Sequence, residues 1–164
     1  MNTIIIGFSR PKKWMPFAKL IMFGYGINYD HAYIKIYSKK LDRTLVYQAS
    51  KSMVNFMGSE VFEEHNIIVN EKTLQVSEDT LNSILKFAID NAGKPYGIKA
   101  CLGLAIVRIF ELFGRVIKNP FNDKGATYFC SELVCMILER VGIKIPKDAD
   151  DMSPKDVYNL VINN

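Results

Sequence analysis

The hydrophobic period of this chain changes at Ser77, and that change decides which secondary structure each part can form. Before Ser77, apolar residues form short β-branched runs or alternate with polar ones, as in TIIIGF at 3–8 and HAYIKIY at 31–37. A period of two places side chains alternately on the two faces of a strand. Segments 44–49 and 67–76 continue the pattern, and a short polar turn makes 31–37 and 44–49 neighbouring antiparallel strands.

From Ser77 onward the apolar residues repeat at helical spacing. Ser77 is a favourable N-cap, acidic residues follow it in the first turn, and Gly93 and Pro95 end the helix. Further helices are predicted over about 98–117, over 130–141 before Gly142, and from Ser153-Pro154 to about 162, with a shorter one over 14–23 in the strand-rich part.

The composition is that of one globular domain. The chain has 164 residues, of which 49% are hydrophobic and 23% charged, and it is long enough to bury a core without disulfides. We therefore predict a single α+β domain over residues 1–164, with a central antiparallel sheet packed against helices. An apolar helical insertion is expected at about 98–118.

Charge and cysteine content argue against several classes of function. The net charge is +4, but the lysines are scattered and no basic block occurs, so nucleic-acid binding is not expected. Three cysteines, Cys101, Cys130 and Cys135, form no C-x-x-C pair, which argues against a disulfide framework or a thiol-redox motif. The N-terminal segment lacks the basic region and long apolar stretch of a secretion signal, so we expect a cytoplasmic protein.

Cys130 and His31 form the candidate reactive pair. Cys130 stands where a loop enters a predicted helix, and the positive end of the helix dipole lowers the pKa of a thiol placed there. An imidazole nearby could take the thiol proton and later protonate a leaving group. By residue type alone, a cysteine at the start of an apolar helix is more often a packing residue, and a lone histidine at a strand start more often has no catalytic role.

The sequence around this pair resembles a known family. TYFCSELVCMIL at 127–138 resembles the nucleophile helix of the NlpC superfamily of papain-like cysteine hydrolases, and is most like the circularly permuted branch of YiiX-like amidases, which has viral and phage members. HAYIKIYSKKLDRTLVYQAS at 31–50 resembles the histidine strand and the strand after it. GKPYG at 93–97 and SPKDVYNL at 153–160 resemble further family elements. The histidine precedes the cysteine, which is the permuted order.

The resemblance implies a role for each matching residue. Cys130 would be the thiolate nucleophile, His31 the general base and acid, and Gln48 in YQAS the residue that orients the imidazole. Many family members carry a charged or titratable group at the Gln48 position, and a neutral amide stabilises an imidazolium less well. The oxyanion hole would need the Cys130 backbone N–H and one further donor, for which Tyr128 is a candidate, although a packing role for this aromatic is as plausible.

No metal and no cofactor are predicted. A zinc site built from His31, His65, Cys101 and Cys130 would lack any recognised ligand spacing. His65 is expected to be a solvated loop residue, and Cys135 a core residue.

The apolar helix at about 98–117 admits two interpretations. Its charges, Arg108, Glu111, Arg115 and Lys118, fall on one stripe and leave a wide apolar face. One interpretation is a core helix of the domain. The other is a lid or lipid-facing wall beside the thiol, which would give the protein a lipid or membrane-surface contact through residues 98–118.

These features together predict a cysteine-dependent hydrolase. It would cleave an amide bond, in a peptide, a cell-wall peptide or another small amide, through an acyl-enzyme on Cys130. One alternative is a lipid acyltransferase or esterase on the same scaffold, as in the lecithin:retinol acyltransferase group, although the NCEHF-type nucleophile word of that group is absent here. The other alternative is a binding module without catalysis.

Overall fold

The computed structural model describes residues 2–50, 52–121 and 125–163. Its elements in chain order are β1 (Asn2–Pro11), α1 (Pro16–Tyr25), β2 (His31–Ser38), β3 (Arg43–Ser50), β4 (Met53–Gly58), α2 (Ser59–His65), β5 (Asn66–Val76), α3 (Glu78–Asn91), α4 (Ile98–Leu112), α5 (Cys130–Val141), a 3-10 turn (Ala149–Asp151) and α6 (Pro154–Ile162). Within those ranges, none of the helices has both the length and the apolar character that a bilayer crossing requires.

The strands form one antiparallel sheet in the order β4-β3-β2-β1-β5. β1 is paired on both sides: Ile4 lies opposite Ile36 of β2 and opposite Leu74 of β5. β2 in turn pairs with β3, with Ile34 opposite Tyr47. The α+β class with an antiparallel sheet and helices is therefore confirmed.

The main core lies between one face of the sheet and α5. Alternate residues of β2, Ala32, Ile34 and Ile36, are buried on this face. They pack in one cluster with the α5 residues that recur at helical spacing, namely Leu133, Val134, Ile137 and Leu138, all with no exposed surface. This is the helix face that the sequence period predicted, and it fixes the start of α5 beside the start of β2.

The opposite face of the sheet carries α2 and a smaller, more polar core. Phe62 of α2 packs on Tyr33, with ring centroids 4.5 Å apart. Lys35 is nearly buried and forms ion pairs with Glu63 at 2.7 Å and Glu71 at 2.8 Å. Because side chains alternate along a strand, His31 belongs to this row of β2 and not to the α5 row.

Several predicted helix boundaries are confirmed by their caps. The Ser77 hydroxyl accepts a hydrogen bond from the Thr80 N–H at the start of α3, and Ser153 caps α6 with Pro154 in its first turn. Gly142 ends α5 in a left-handed conformation with φ of 88°. These positions need only local chemistry, so the sequence was sufficient to identify them.

Two parts of the chain differ from the prediction. β4 and α2 were not predicted. MVNFMG is short, its apolar and polar residues do not alternate cleanly, and it pairs as a strand along the edge of β3. The helix expected over about 98–117 ends at Leu112. Gly114 takes a left-handed conformation with φ of 72°, and the Arg115 N–H bonds back to the Phe110 carbonyl, which closes the helix.

Candidate active site

His31 and Gln48 are joined by a hydrogen bond. β2 begins at His31, and the antiparallel pairing of β2 with β3 brings Gln48 alongside it. The distance from His31 Nε2 to Gln48 Oε1 is 2.7 Å. Gln48 Nε2 donates to Met57 Sδ at 3.2 Å, which orients the amide with its oxygen toward the ring. Because an amide oxygen only accepts, Nε2 of His31 carries the proton, and Nδ1 is left as the basic nitrogen.

Cys130 is the first residue of α5 and is almost fully buried, with 4% exposure. Its thiol donates a long hydrogen bond to the Asp30 carbonyl, with 3.9 Å between Sγ and oxygen. A second hydrogen bond reaches the sulfur from the backbone N–H of Ala32. The thiol therefore lies against residues 30–32, which are the three backbone positions centred on His31.

Cys130 and His31 reach this stretch of backbone from two sides. Cys130 comes from the α5 face of the sheet, whereas the His31 ring lies 6.2 Å from the Phe62 ring on the α2 face, measured between centroids. No hydrogen bond joins the thiol to the imidazole in the part of the chain that the structure describes. The expected approach of the sulfur to an imidazole nitrogen, within about 4 Å, stays a prediction.

Burial favours the neutral forms of both His31 and Cys130. It lowers the pKa of His31 to about 4, although the hydrogen bond that His31 donates to Gln48 acts in the other direction. Burial raises the pKa of Cys130 to about 12; the charge of Cys101 adds to this, and the backbone N–H groups of Ala32 and Ser131 oppose it. At neutral pH the pair is thus a thiol and a neutral imidazole. The lowering of the Cys130 pKa expected from its helix position is outweighed by desolvation.

Asp30 places a carboxyl group beside the thiol. Burial raises the pKa of Asp30 to about 6, and its Oδ1 is buried without a hydrogen-bond partner. Its negative charge raises the pKa of both Cys130 and Cys101. Asp30 precedes the candidate histidine directly in the sequence, but its burial beside Cys130 depends on the docking of α5 and could not be inferred from that position.

Tyr96 is a second polar group at the thiol that the sequence did not identify as functional. Its hydroxyl lies 3.9 Å from Cys101 Sγ, and burial raises the pKa of Tyr96 well above its ordinary value, with the charges of Cys130, Cys101 and Asp30 adding to the effect. The hydroxyl therefore stays protonated and able to donate. Tyr96 belongs to the GKPYG segment, but the spacing of that segment did not place it near Cys130.

Tyr128, the predicted oxyanion donor, directs its ring toward the helices. The ring stands edge-on to Phe87, with centroids 6.1 Å apart, and Lys94 Nζ lies 5.0 Å above it. Its backbone carbonyl accepts from the Gly97 N–H and so holds the Tyr96 segment beside the start of α5. These contacts are those of a packing residue, and the oxyanion role of Tyr128 stays a prediction.

The remaining candidate residues lie elsewhere. His65 is exposed at the end of α2, where its Nδ1 contacts the Val61 carbonyl, so it is a helical residue and not a loop residue. Cys135 is buried within α5.

The structure groups possible metal ligands at a different place from the zinc site considered from the sequence. In the described ranges, the side chains close enough to share an ion are Asp148, Asp150 and Asp151. Asp148 pairs with Lys118 at 2.8 Å, and Asp151 accepts from the Asn119 N–H at 2.6 Å. These carboxylates already hold the loop between α4 and α5 in place, and they do not form a built metal site.

Comparison with known proteins defines the scaffold only. No family model and no curated protein matches this chain. A solved structure with a similar fold is that of the metalloprotein YiiX from Escherichia coli O157:H7, with a TM-score of 0.51 and 16% sequence identity. The similarity covers 96% of this chain and 91% of that chain. The similarity shows a common fold over nearly the whole length of both chains. At this sequence identity it does not show a common chemistry.

Proposed function

We propose that this protein is a cysteine-dependent hydrolase of the circularly permuted papain-like type, acting on an amide bond through an acyl-enzyme on Cys130. The observation that carries the proposal is the hydrogen bond between His31 and Gln48 next to the backbone stretch against which the Cys130 thiol lies. The hydrogen bond holds the imidazole in one tautomer and leaves Nδ1 basic. A nucleophile, a base and a group that orients the base are the parts that acyl transfer needs.

The reaction balances with these residues alone. His31 Nδ1 takes the thiol proton as Cys130 Sγ attacks the substrate carbonyl, and the tetrahedral oxyanion accepts from the Cys130 N–H and the Tyr96 hydroxyl. The imidazolium then returns the proton to the leaving amine, and the C–N bond breaks to give a thioester. Water, deprotonated by the same nitrogen, attacks the thioester and releases the acid and the free thiol.

The neutral resting pair determines how the thiol is activated. Because burial keeps both groups uncharged, proton transfer accompanies attack on the substrate and does not precede it. The proposal also requires that the imidazole and the thiol, which lie on the two faces of β2 in the resting protein, meet in the substrate complex. The substrate of this proposal is a peptide, a cell-wall peptide or another small amide.

A second candidate is acyl transfer or hydrolysis on a lipid ester. It is favoured by the exposed apolar side chains of α4, whose Cys101 lies next to Tyr96 at the thiol. The acyl-enzyme on Cys130 would be the same, and only the leaving group would differ, an alcohol in place of an amine.

Trapping the acyl-enzyme tests the proposal. Purified protein is mixed with an activated acyl ester, and intact-mass and peptide mass spectrometry locate any added acyl group. We expect acylation at Cys130 that is lost in Cys130→Ser and strongly slowed in His31→Ala, with Cys135→Ser as the matched control that stays active. Absence of acylation at Cys130, or equal acylation of all three cysteines, would favour a binding module without catalysis. Hydrolysis assays with a muropeptide and with phosphatidylcholine then show whether the protein cleaves an amide or an ester.

A further inference from the structure

α4 carries a row of exposed apolar side chains along its whole length. The exposed apolar positions recur every three or four residues, at Ile98, Leu102, Ala105, Ile109 and Leu112, and Phe113 follows directly after the helix. The exposed fractions of Leu102, Ile109, Leu112 and Phe113 are 46, 54, 68 and 79%. The opposite face, formed by Ala100, Gly103, Leu104 and Val107, is buried against the domain. A stripe of large apolar side chains that faces away from the core marks an interaction surface.

α1 packs against α4 and carries a similar exposed stripe. The Tyr25 hydroxyl donates to the Leu104 carbonyl at 3.2 Å, and Arg108 Nε donates to the Gly24 carbonyl at 3.2 Å. On α1, Leu20 is 60% exposed and Phe23 is 89% exposed. Two neighbouring helices therefore both leave their large apolar residues uncovered, and Trp14 just before α1 does the same.

Charge is distributed unevenly around these helices. Segments 10–29 and 94–121, which contain α1 and α4, hold nine lysine or arginine residues and a single acidic residue, Glu111. Glu111 is paired with Arg108 at 3.2 Å. The rest of the chain has more acidic than basic residues, so the net positive charge of the protein resides in the two segments that carry the exposed apolar stripes.

We propose that α1 and α4 dock on an anionic membrane surface. The apolar side chains would enter the headgroup–acyl boundary, and the flanking lysines and arginines would contact lipid phosphates and carboxylates. Charge complementarity selects this occupant. A second copy of the chain would bring together two surfaces that each carry an excess of positive charge, and like charges across an interface oppose association.

The docked surface would also border the thiol. α4 begins two residues after Tyr96, and the Tyr96 hydroxyl lies beside Cys101 of α4 and is affected by the charge of Cys130. Membrane docking would thus favour substrates held at the membrane, either a membrane-bound amide or a lipid ester. The docking itself does not depend on the proposed chemistry of Cys130.

Vesicle co-sedimentation tests the proposal. The probes are vesicles of phosphatidylcholine mixed with phosphatidylserine, and vesicles of phosphatidylcholine alone. We expect binding to the first kind that weakens as salt rises, and about tenfold weaker binding for Leu112→Glu and for Phe113→Glu, since burial of one such side chain is worth about that factor. The control is Ile89→Glu on α3, which replaces an equally exposed apolar residue, at 67% exposure, outside the two helices. Circular dichroism verifies that each variant is folded.

The outcomes separate docking from catalysis. Cys130→Ser should bind vesicles as the wild type does, because docking needs no reactive thiol. The proposal is overturned if the wild type binds neither vesicle, or if Leu112→Glu binds as well as Ile89→Glu does. It is also overturned if light scattering without lipid finds a dimer that Phe113→Glu dissociates, because the stripe is then a protein interface.

Discussion

α4 and α5 flank the same thiol, and both have an apolar period, yet the domain uses them in different ways. α5 buries Leu133, Val134, Ile137 and Leu138 completely against the sheet and carries Cys130 at its first residue. α4 buries only a narrow row, Ala100, Gly103, Leu104 and Val107, and leaves Leu102, Ile109 and Leu112 exposed. A helix whose apolar face is completely buried can hold a reactive group in place, whereas a helix with one free apolar face is available for a partner.

The largest expected effect is on the reactivity of Cys130, the residue that α5 holds in place. His31→Ala should slow acylation of Cys130 by about 100- to 10,000-fold, because general-base catalysis is lost. Alkylation of Cys101 on α4 should change little, since its sulfur contacts Tyr96 and not the imidazole. Acylation kinetics and peptide mapping on the same samples measure the rate at Cys130 and the rate at Cys101. An equal effect on the two cysteines would mean that the variant disturbs the fold and not the base.

The second test compares the stability contributed by each helix. Leu133→Ala on α5 should lower the free energy of unfolding by about 2–5 kcal/mol, because it leaves a cavity in a fully buried site. Ile109→Ala on α4, at 54% exposure, should change it by no more than about 0.5 kcal/mol. Urea unfolding followed by circular dichroism measures both. A large loss for Ile109→Ala would show that the outer face of α4 is covered in solution.

The third test measures how the free energy of unfolding depends on pH through His31, the first residue of β2. The folded-state pKa of His31 is lowered to about 4, so the folded protein resists protonation that the unfolded chain accepts below about 6.5. Stability should fall by about 1–3 kcal/mol as pH drops from 6.5 to 4, and His31→Gln should lose this dependence.

The titration of Asp30 changes the stability in the opposite direction over an overlapping pH range. Its folded-state pKa is raised from 3.8 to about 6, so the folded state binds the proton more tightly and stability rises as pH falls from 6 to 3.8. Asp30→Asn should therefore make the acid destabilisation by His31 steeper. Unfolding midpoints of the two variants and the wild type across this range resolve the two contributions. Parallel curves for all three proteins would contradict the burial of both groups.

The smallest expected effect concerns the thiol itself. Asp30→Asn should speed iodoacetamide alkylation of Cys130 a few-fold above pH 6, because the ionised carboxyl raises the thiol pKa. Below that pH Asp30 is protonated in the wild type, and the two rates should converge. Asp90→Asn on the exposed side of α3 is the matched control. A rate difference that persists at low pH would point to altered access and not to charge.

The sequence by itself determined the features that depend on local chemistry. Ser77, Ser153 and Gly142 act as caps where their residue types predicted it, and the helical period of α5 identified its buried face. Strand alternation and the resemblance of residues 31–50 to a histidine strand pointed to His31 and Gln48, which adjacent strands do bring into hydrogen-bond contact. Neighbouring strands joined by a short turn leave few ways to pair, so such a contact is nearly local.

Only the tertiary structure decided what surrounds Cys130 and which apolar faces stay open. Asp30 precedes β2, Tyr96 precedes α4 and Cys101 lies within α4, and no spacing along the chain shows that these residues lie near Cys130 at the start of α5. Their enclosure raises the pKa of Cys130, the reverse of what its place at a helix start suggested. A hydrophobic period likewise shows that a helix has an apolar face, but not whether another element covers it. The period is a local property, whereas burial depends on residues distant in the sequence.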